Sequence, residues 1–479
     1  MKYELVMGLE VHVELATQSK LFCSCSAKFG ADPNENVCPA CSGMPGMLPV
    51  ANKRAIELGM IASILTNSEI TRTITFDKKN YFYPDLSTGY QVTQWFAPIC
   101  RNGYVDIETS KGEKRITLKQ IHIEEDAGKL VHDYRTDTSL VDYNRASVPL
   151  NEIVSNPDFR SAEEVIAYLE KLRSILSFAG VSDCRMQEGS MRCDVNISVR
   201  EMGSDVFGTR VEIKNMNSLK AIERAIEYEY GRHCEILETG CGEIVQETRR
   251  WDDNKGETYS MRSKEDAAEY RYFPYADVMP IVISDEWIEE VRKTIPELAH
   301  EKKARLLEMG LPETDCGIIC GNKSLSNIFD EAYETTKKPK AIANWLIADF
   351  LAMAKEAGMP GDDLKLNGKS LGTLIDLVDK NVINRSVGKK VLLEVFKNDV
   401  NPDAYIKEKG LGMVTDTGAI AGIVAETLKE NLKSVEEYKG GNAKVIPFFV
   451  GRIMKKTQGK ADPKIVNQEL KKQLDEFEI

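Results

Sequence analysis

Near the N-terminus Glu10, His12 and Glu14 alternate with Leu9, Val11, Val13 and Leu15. A strand puts residues i, i+2 and i+4 on one face, so the two carboxylates and the imidazole point the same way. The four aliphatic side chains point the other way, into a core. Alternation by itself fits the solvated outer face of an antiparallel sheet. A buried face rarely carries such a trio unless something cationic sits on it, which makes a divalent cation or phosphate site the competing reading.

Four later stretches repeat the segregation. In 118–129, His122 and Glu124 share a face, and Glu124, Glu125 and Asp126 form three successive carboxylates that repel one another unless a cation screens them. Glu125 breaks the alternation beside a turn that can re-aim it. In 192–200, Asp194, Asn196, Ser198 and Arg200 alternate against Cys193, Val195, Ile197 and Val199, and Arg210, Glu212 and Lys214 do so in 210–214. The stretch 144–154 places Asn144, Arg145 and Glu152 around an apolar run. Together these describe a sheet with one apolar face and one face of Glu, Asp, His, Asn, Arg and Lys. Carboxylates with a histidine suit a divalent cation, and Lys and Arg neutralise phosphoryl oxygens. The sequence contains no Walker A loop, dinucleotide-binding glycine fingerprint or kinase signature, so a bound ATP would lie on a sheet.

Cys23 and Cys25 are followed, after a twelve-residue spacer, by Cys38 and Cys41. Two close thiol pairs suit a tetrahedral structural Zn²⁺ with no position left for water; four reduced thiols without metal are the plain alternative. Zinc nucleobase deaminases pair H-x-E with P-C-x-x-C. His12–Glu14 and Cys38–Cys41 approach that pattern, but the proline follows Cys38, His12 is on a strand, and Cys23 and Cys25 have no role in it. The segments 76–86 and 270–275 mix tyrosines and phenylalanines with basic residues, a combination that stacks on bases or ribose or forms buried aromatic corners.

At 479 residues the chain is long enough for two or three domains. No apolar run reaches 18 residues, and the N-terminus lacks a basic and an apolar leader region, so no membrane association and a cytoplasmic location are expected, with the eleven cysteines reduced. A net charge of −12 argues against a protein coated in nucleic acid but allows a local basic patch. Short strands and helices mix through 1–292, an α+β unit in which Ser161 with Glu164 marks a helix start and Ser218–Leu237 is a second helix. From 293 to 400 the pattern is helical, with one long helix from Pro339 to Gly358 and a break at 398–402. The segment 401–479 is helical again and carries Arg452, Lys455, Lys456, Lys460 and Lys464.

The motifs GLEVHVEL, KLFCSCS, CPACSGMPGMLPVAN, FDKKNYFYPDLSTGYQ, IEEDAGK, NRASVPLNEIV, GSMRCDVNISVR, EIKNMNS, ETRRWDD and MRSKEDAAEYRYFP, with GRIMKKTQGKADPKIVNQEL near the end, closely resemble the B-subunit family of the aspartyl/glutamyl-tRNA amidotransferases. The likeness spans nearly the whole chain and departs at Asn381–Ser386, where an Ile-Ser pair is expected. It implies a cradle domain with an antiparallel sheet (1–292), an all-helical domain (293–400) and a small tRNA-binding helical tail (401–479). It also implies a ligase that forms a carbon–nitrogen bond with glutamine as amido donor. ATP and Mg²⁺ serve to phosphorylate the side-chain carboxylate of Glu-tRNA(Gln) or Asp-tRNA(Asn). Ammonia from a partner amidase, the family's A subunit, then displaces phosphate, within a heterotrimer completed by the small C subunit. The resemblance assigns Mg²⁺ to His12, Glu10 and Glu125, and adds Glu124, Asp194, Asn196, Glu212 and Lys214 to the active face, with Lys214 and Arg210 on the nucleotide. A non-catalytic, zinc-stabilised tRNA-binding module is the alternative reading.

Overall fold

The computed structural model describes the chain apart from residues 1, 134, 264–268, 360, 414–416, 458–460 and 478–479. It divides into two compact units, Met1–Leu298 and Ala299–Ile479.

In the first unit, nine strands among the described residues form one sheet: β1 (Tyr3–Glu14), β2 (Glu69–Ile70), β3 (Cys100–Thr109), β4 (Gly112–Glu125), β5 (Pro149–Ser155), β6 (Met191–Glu201), β7 (Val211–Lys214), β8 (Glu247–Asp252) and β9 (Glu257–Ser263). Their order is β9-β8-β7-β6-β1-β5-β4-β3-β2, which is chain order except that β1 is inserted in the middle. All neighbours are antiparallel apart from β7 and β8. A parallel pair needs a long crossover, and helix α3 (Leu219–Thr239) supplies it. Helix α2 (Ala162–Phe178) likewise joins β5 to β6, the two strands that flank β1.

The apolar face of β1 behaves as its alternation requires. Leu9, Val11 and Val13 are fully buried in a cluster shared with Leu169 and Leu172 of α2, Ile222 and Ile226 of α3, and Ile56 and Met60 of α1 (Lys53–Leu65). Asn52 caps α1 by accepting the Arg54 and Ala55 N–H groups. Ser161 caps α2 through the Glu164 N–H. The reciprocal half of that capping box is shifted by one residue: Glu164 accepts from Arg160 N at 2.6 Å and also receives Lys114 Nζ at 2.8 Å.

The second unit is helical. One apolar cluster runs from Leu306 to Ile406 and another from Ile420 to Leu474. The long helix starting at Pro339 widens into a π turn over Trp345–Phe350 before resuming at Leu351. Asp399 in the left-handed region ends the helix Arg385–Asn398, and Asn401 caps the next one at Pro402. The boundary expected at 400 lies inside the first cluster, which reaches Ile406, so we propose that the helical domain ends between Ile406 and Ile420. No helix among the described residues is long and apolar enough to cross a membrane.

Candidate functional site

The polar face is built by register. His12 pairs with Glu152 on β5 and Arg192 on β6, and Glu152 pairs in turn with His122 on β4. One row across four strands therefore reads His122, Glu152, His12, Arg192. The next row reads Gln120, Val154, Glu10, Asp194, and beyond it Asn196, Glu212 and Thr248 lie opposite one another on β6, β7 and β8. Side chains from adjacent strands on one face are about 5 Å apart at Cβ, so the rows bring together residues as distant in sequence as Glu10 and Asp194.

Two ligand clusters result. In the first, His12 Nε2 lies 3.5 Å from Glu152 Oε2 and 3.8 Å from Glu124 Oε1, while His122 Nε2 lies 2.9 Å from Glu152 and 3.4 Å from Glu124. Thr93 Oγ1 donates to Glu124 at 3.1 Å. Burial opposes a proton on either imidazole, yet the Glu152 and Glu124 carboxylates hold His12 above its ordinary value and His122 up to about 10. Burial opposes the charge of Glu152 too, but the two imidazoles keep it well below the carboxylate range. In the second cluster Asn196 Nδ2 donates to Glu10 at 3.0 Å, and Lys214 Nζ bridges Asp194 at 2.7 Å and Glu212 at 3.1 Å. Thr248 donates to Glu212 at 2.7 Å. Burial, and then the neighbouring carboxylates, push Glu10 upward.

One donor atom each from His12, Glu124 and Glu152 falls within a 4.8 Å sphere of separations, as does one each from Glu10, Asp194 and Glu212. Oxygen ligands about 2.1 Å from a Mg²⁺ are separated by roughly 3 to 4.2 Å, so both clusters fit a hard divalent cation. All of these residues except Asp194 line one cleft of about 460 Å³ with Lys79, Arg210, Trp95, Tyr270 and Tyr272. Lys79 approaches the Tyr270 ring at 4.9 Å and the Tyr81 ring at 5.8 Å, and the charges of Glu124 and Glu152 raise it against the effect of burial.

The expected residues divide accordingly. His12 joins Glu124, Glu10 joins Asp194, Asn196, Glu212 and Lys214, and exposed Arg210 stands on the cleft wall. Glu125 is not brought to the His12 and Glu10 clusters. Alternation sends it to the other side of β4, where its carboxylate accepts Val92 N–H at 3.2 Å and the Ser147 hydroxyl at 2.5 Å. Burial pushes it up to about 7 beside a second cavity, of about 250 Å³, that Cys23 and Cys41 also line. Glu14 lies with Asp126, whose charge adds to burial in pushing it up to about 8, while Arg192 turns to Asp126 at 2.7 Å. Glu152 and Lys79 complete the cleft without having been singled out as site residues. Lys460, and residues 264–268 of the motif MRSKEDAAEYRYFP, lie outside the described residues.

The four cysteines converge as their spacing requires. Cys41 Sγ lies 3.9 Å from Cys38 Sγ and 4.0 Å from Cys25 Sγ, and all four thiols share one site. Thiolates 2.3 Å from a tetrahedral zinc are separated by about 3.8 Å, so the group is sized for that ion. The Cys23 hydrogen bond, helped by the Cys38 N–H and the Lys20 ammonium, holds the Cys41 thiol down to about 4.

Residues 5–289 match the GatB/GatE catalytic domain family, and residues 327–474 match a second family, the GatB domain. The chain belongs to the GatB/GatE family. Three relatives bear the name of the B subunit of aspartyl/glutamyl-tRNA(Asn/Gln) amidotransferase. One from Lachnoclostridium phytofermentans is 52% identical over 98% of this chain and 99% of its own length. One from Caldicellulosiruptor saccharolyticus is 50% identical with both chains fully covered, and one from Caldanaerobacter subterraneus is 50% identical over 99% of this chain and all of its own. The family match to residues 5–289 contains eight strands of the sheet, all but the first two residues of β1, and both ligand clusters.

Proposed function

We propose that this chain is the B subunit of a tRNA-dependent amidotransferase, and that it phosphorylates the side-chain carboxylate of misacylated Glu-tRNA(Gln), Asp-tRNA(Asn) or both. The observation that carries the reading is the meeting of two carboxylate clusters with His12, Lys79, Lys214 and Arg210 around one cleft. A carboxylate is a poor acyl donor, and phosphorylation gives its carbonyl a good leaving group. The substrate carboxylate oxygen attacks the γ-phosphorus of ATP, the bond to the β-phosphate oxygen breaks, and ADP leaves. Ammonia then attacks the acyl phosphate carbon, phosphate departs and a proton is lost, leaving the amide.

His12, Glu124 and Glu152 would hold Mg²⁺, with Glu10, Asp194 and Glu212 as a second acidic set. Such an ion, when bound, offsets the charge that builds up on transferring phosphoryl oxygens. Asn196 orients Glu10, and Thr248 and Lys214 orient Glu212. Once nucleotide enters, Lys214 and Arg210 supply positive charge to phosphoryl oxygens, and Lys79 does so from the opposite wall. The four cysteines would hold a structural zinc. Ammonia comes from the glutamine-hydrolysing amidase partner, in a heterotrimer with the small third protein of the assembly.

The test is transfer of radiolabelled γ-phosphate to Glu-tRNA by the assembled enzyme carrying His12→Ala. Loss of transfer with tRNA binding retained supports the catalytic reading. Unchanged transfer would sink the assignment of His12 and its cleft to catalysis.

A further inference from the structure

A small second sheet forms one wall of the cleft. Its strands, in spatial order, are Phe273–Pro274, Asp77–Asn80 and Tyr90–Thr93, and the chain leaves the last of them through a loop at Gln94–Ile99. Two fully buried polar side chains hold this loop. Asp77 accepts the Trp95 N–H at 2.7 Å and the Phe96 N–H at 2.9 Å, and Gln94 accepts Ile99 N–H at 3.1 Å and Ile123 N–H at 2.9 Å. Burying an amide and a carboxylate is costly; Asp77 Oδ2 and Gln94 Oε1 accept from the loop backbone and fix it, while Asp77 Oδ1 and Gln94 Nε2 are buried without a partner among the described residues. The residue they present is not a core residue: Trp95 is 51% exposed. Its ring stacks on Tyr272 with centroids 4.3 Å apart and planes 7° apart. A ring covered so completely on one side and still half exposed has its other face open.

Trp95 and Tyr272 line the same cleft as both carboxylate clusters. An indole has only two side-chain torsions to freeze, and this one is already held by its backbone and its stacking partner. It is therefore preorganised for a flat, apolar ligand group at little entropic cost. A nucleoside triphosphate is a ligand whose flat base and anionic tail match an aromatic end and a cationic, metal-binding end of one cleft.

Resting on the phosphoryl-transfer reading of the cleft, we propose that the open face of Trp95 is the stacking platform for the base of the phosphoryl-donor nucleotide. Tyr272 is the positioning residue behind it, and Asp77 and Gln94 set the platform's height over the sheet. Phosphoryl contacts belong to the His12 and Glu10 ends of the cleft, and base contacts to Trp95.

Competition binding of ATP and of inorganic tripolyphosphate to the assembled amidotransferase separates the two ends. The wild type should bind ATP more tightly than tripolyphosphate. Trp95→Ala should weaken ATP binding by about fivefold or more, as loss of one base–aromatic stack does, and leave tripolyphosphate affinity unchanged. Trp95→Phe should recover most of the difference. In the wild type, ATP should quench tryptophan fluorescence that tripolyphosphate leaves intact, a readout that needs no variant. An unchanged preference for ATP in Trp95→Ala overturns the platform, as does loss of the other subunits from that variant, which would make Trp95 an assembly contact. Wild-type enzyme that binds neither compound overturns the phosphoryl-transfer reading itself.

Discussion

Glu152 receives two imidazoles: His122 Nε2 at 2.9 Å and His12 Nε2 at 3.5 Å both face its Oε2 from the strands on either side. A carboxylate placed between two imidazoles favours a positive charge at that point, whether a proton or a divalent ion supplies it. Glu152→Gln should remove that anion with little change of volume. The expected outcome is a loss of phosphoryl transfer of roughly a hundredfold or more, comparable to deleting one charge-stabilising group, with circular dichroism and tRNA affinity unaltered. A variant with wild-type transfer would show that Glu152 does not serve the reaction.

The same pair sets a pH dependence. His122 is raised to about 10 from an ordinary value of 6.5, so its ion pair stabilises the metal-free protein fully below pH 6.5. That contribution declines as pH rises toward 10. A metal requires His12 as a neutral ligand, so it competes with the proton that Glu152 and Glu124 favour on that imidazole. Mn²⁺ titrations should give affinity that increases with pH, and heats that differ between buffers of different ionisation enthalpy. Metal-free His122→Gln should lose the part of the stability slope that lies between pH 6.5 and 10.

The cysteine group predicts a closed site. Purified protein should contain about one zinc per chain, and Cys38→Ser should contain less. Ser87 Oγ donates to the Cys41 carbonyl at 2.7 Å, and Lys20 Nζ donates to the Tyr143 carbonyl at 3.0 Å, so the thiol loop is tied to the sheet unit from two sides. Chelation should therefore expose residues 23–50 to limited proteolysis before the rest of the unit unfolds. Metal analysis that finds no zinc in either protein would end this assignment.

In the tail, the basic residues are not equivalent. Arg452 and Lys455 are exposed on the helix Ile446–Lys456, whereas Lys456 is held by Glu430 at 2.8 Å and Glu426 at 3.4 Å. If this surface meets tRNA phosphates, Arg452→Ala and Lys455→Ala should each weaken tRNA binding and lower the salt slope by about one. Lys456→Ala should do much less. Equal effects from all three would mean that the pairing of Lys456 does not survive in the complex.

How far this site was legible in the sequence depends on parity. β1, β6 and β7 alternate cleanly, so Glu10, His12, Asp194, Asn196 and Glu212 declare their common face, and the structure places them on it. β5 hides its key residue because Leu150 and Val154 share the face of Glu152, one buried apart from the main apolar cluster and the other lining the cleft. With apolar neighbours on both faces, Glu152 reads as an interruption in a core strand. Glu125 misleads in the opposite way: it adjoins Glu124 in sequence, but a one-residue step reverses the side a strand residue faces. Trp95 gives no periodic signal because it belongs to a loop, and only the buried partners Asp77 and Gln94 reveal that the loop is rigid. The helices of the second unit follow their caps and breaks closely, and the π turn at Trp345 leaves no mark in the pattern.

Behind the cleft, Glu229 of α3 is fully buried and ties that helix to β8 and β9. Its carboxylate receives Arg232 at 2.7 Å, Arg249 at 3.1 Å and the Thr258 hydroxyl, and His233 Nε2 lies 3.3 Å away. Burial favours the neutral acid, but these partners outweigh it and hold the group down to about 2. A depressed carboxylate contributes stability that is complete above its unfolded value near 4.3 and is lost as pH falls toward the folded one. The difference of about two units corresponds to roughly 3 kcal/mol. Glu229→Gln should therefore lower urea stability at pH 7 by a few kcal/mol and flatten its decline between pH 4.5 and 2. Because Thr248 on β8 donates to Glu212, the loosened strand should also weaken the second carboxylate cluster before the sheet unfolds. An unaltered acid limb in the variant would show that another carboxylate governs acid unfolding.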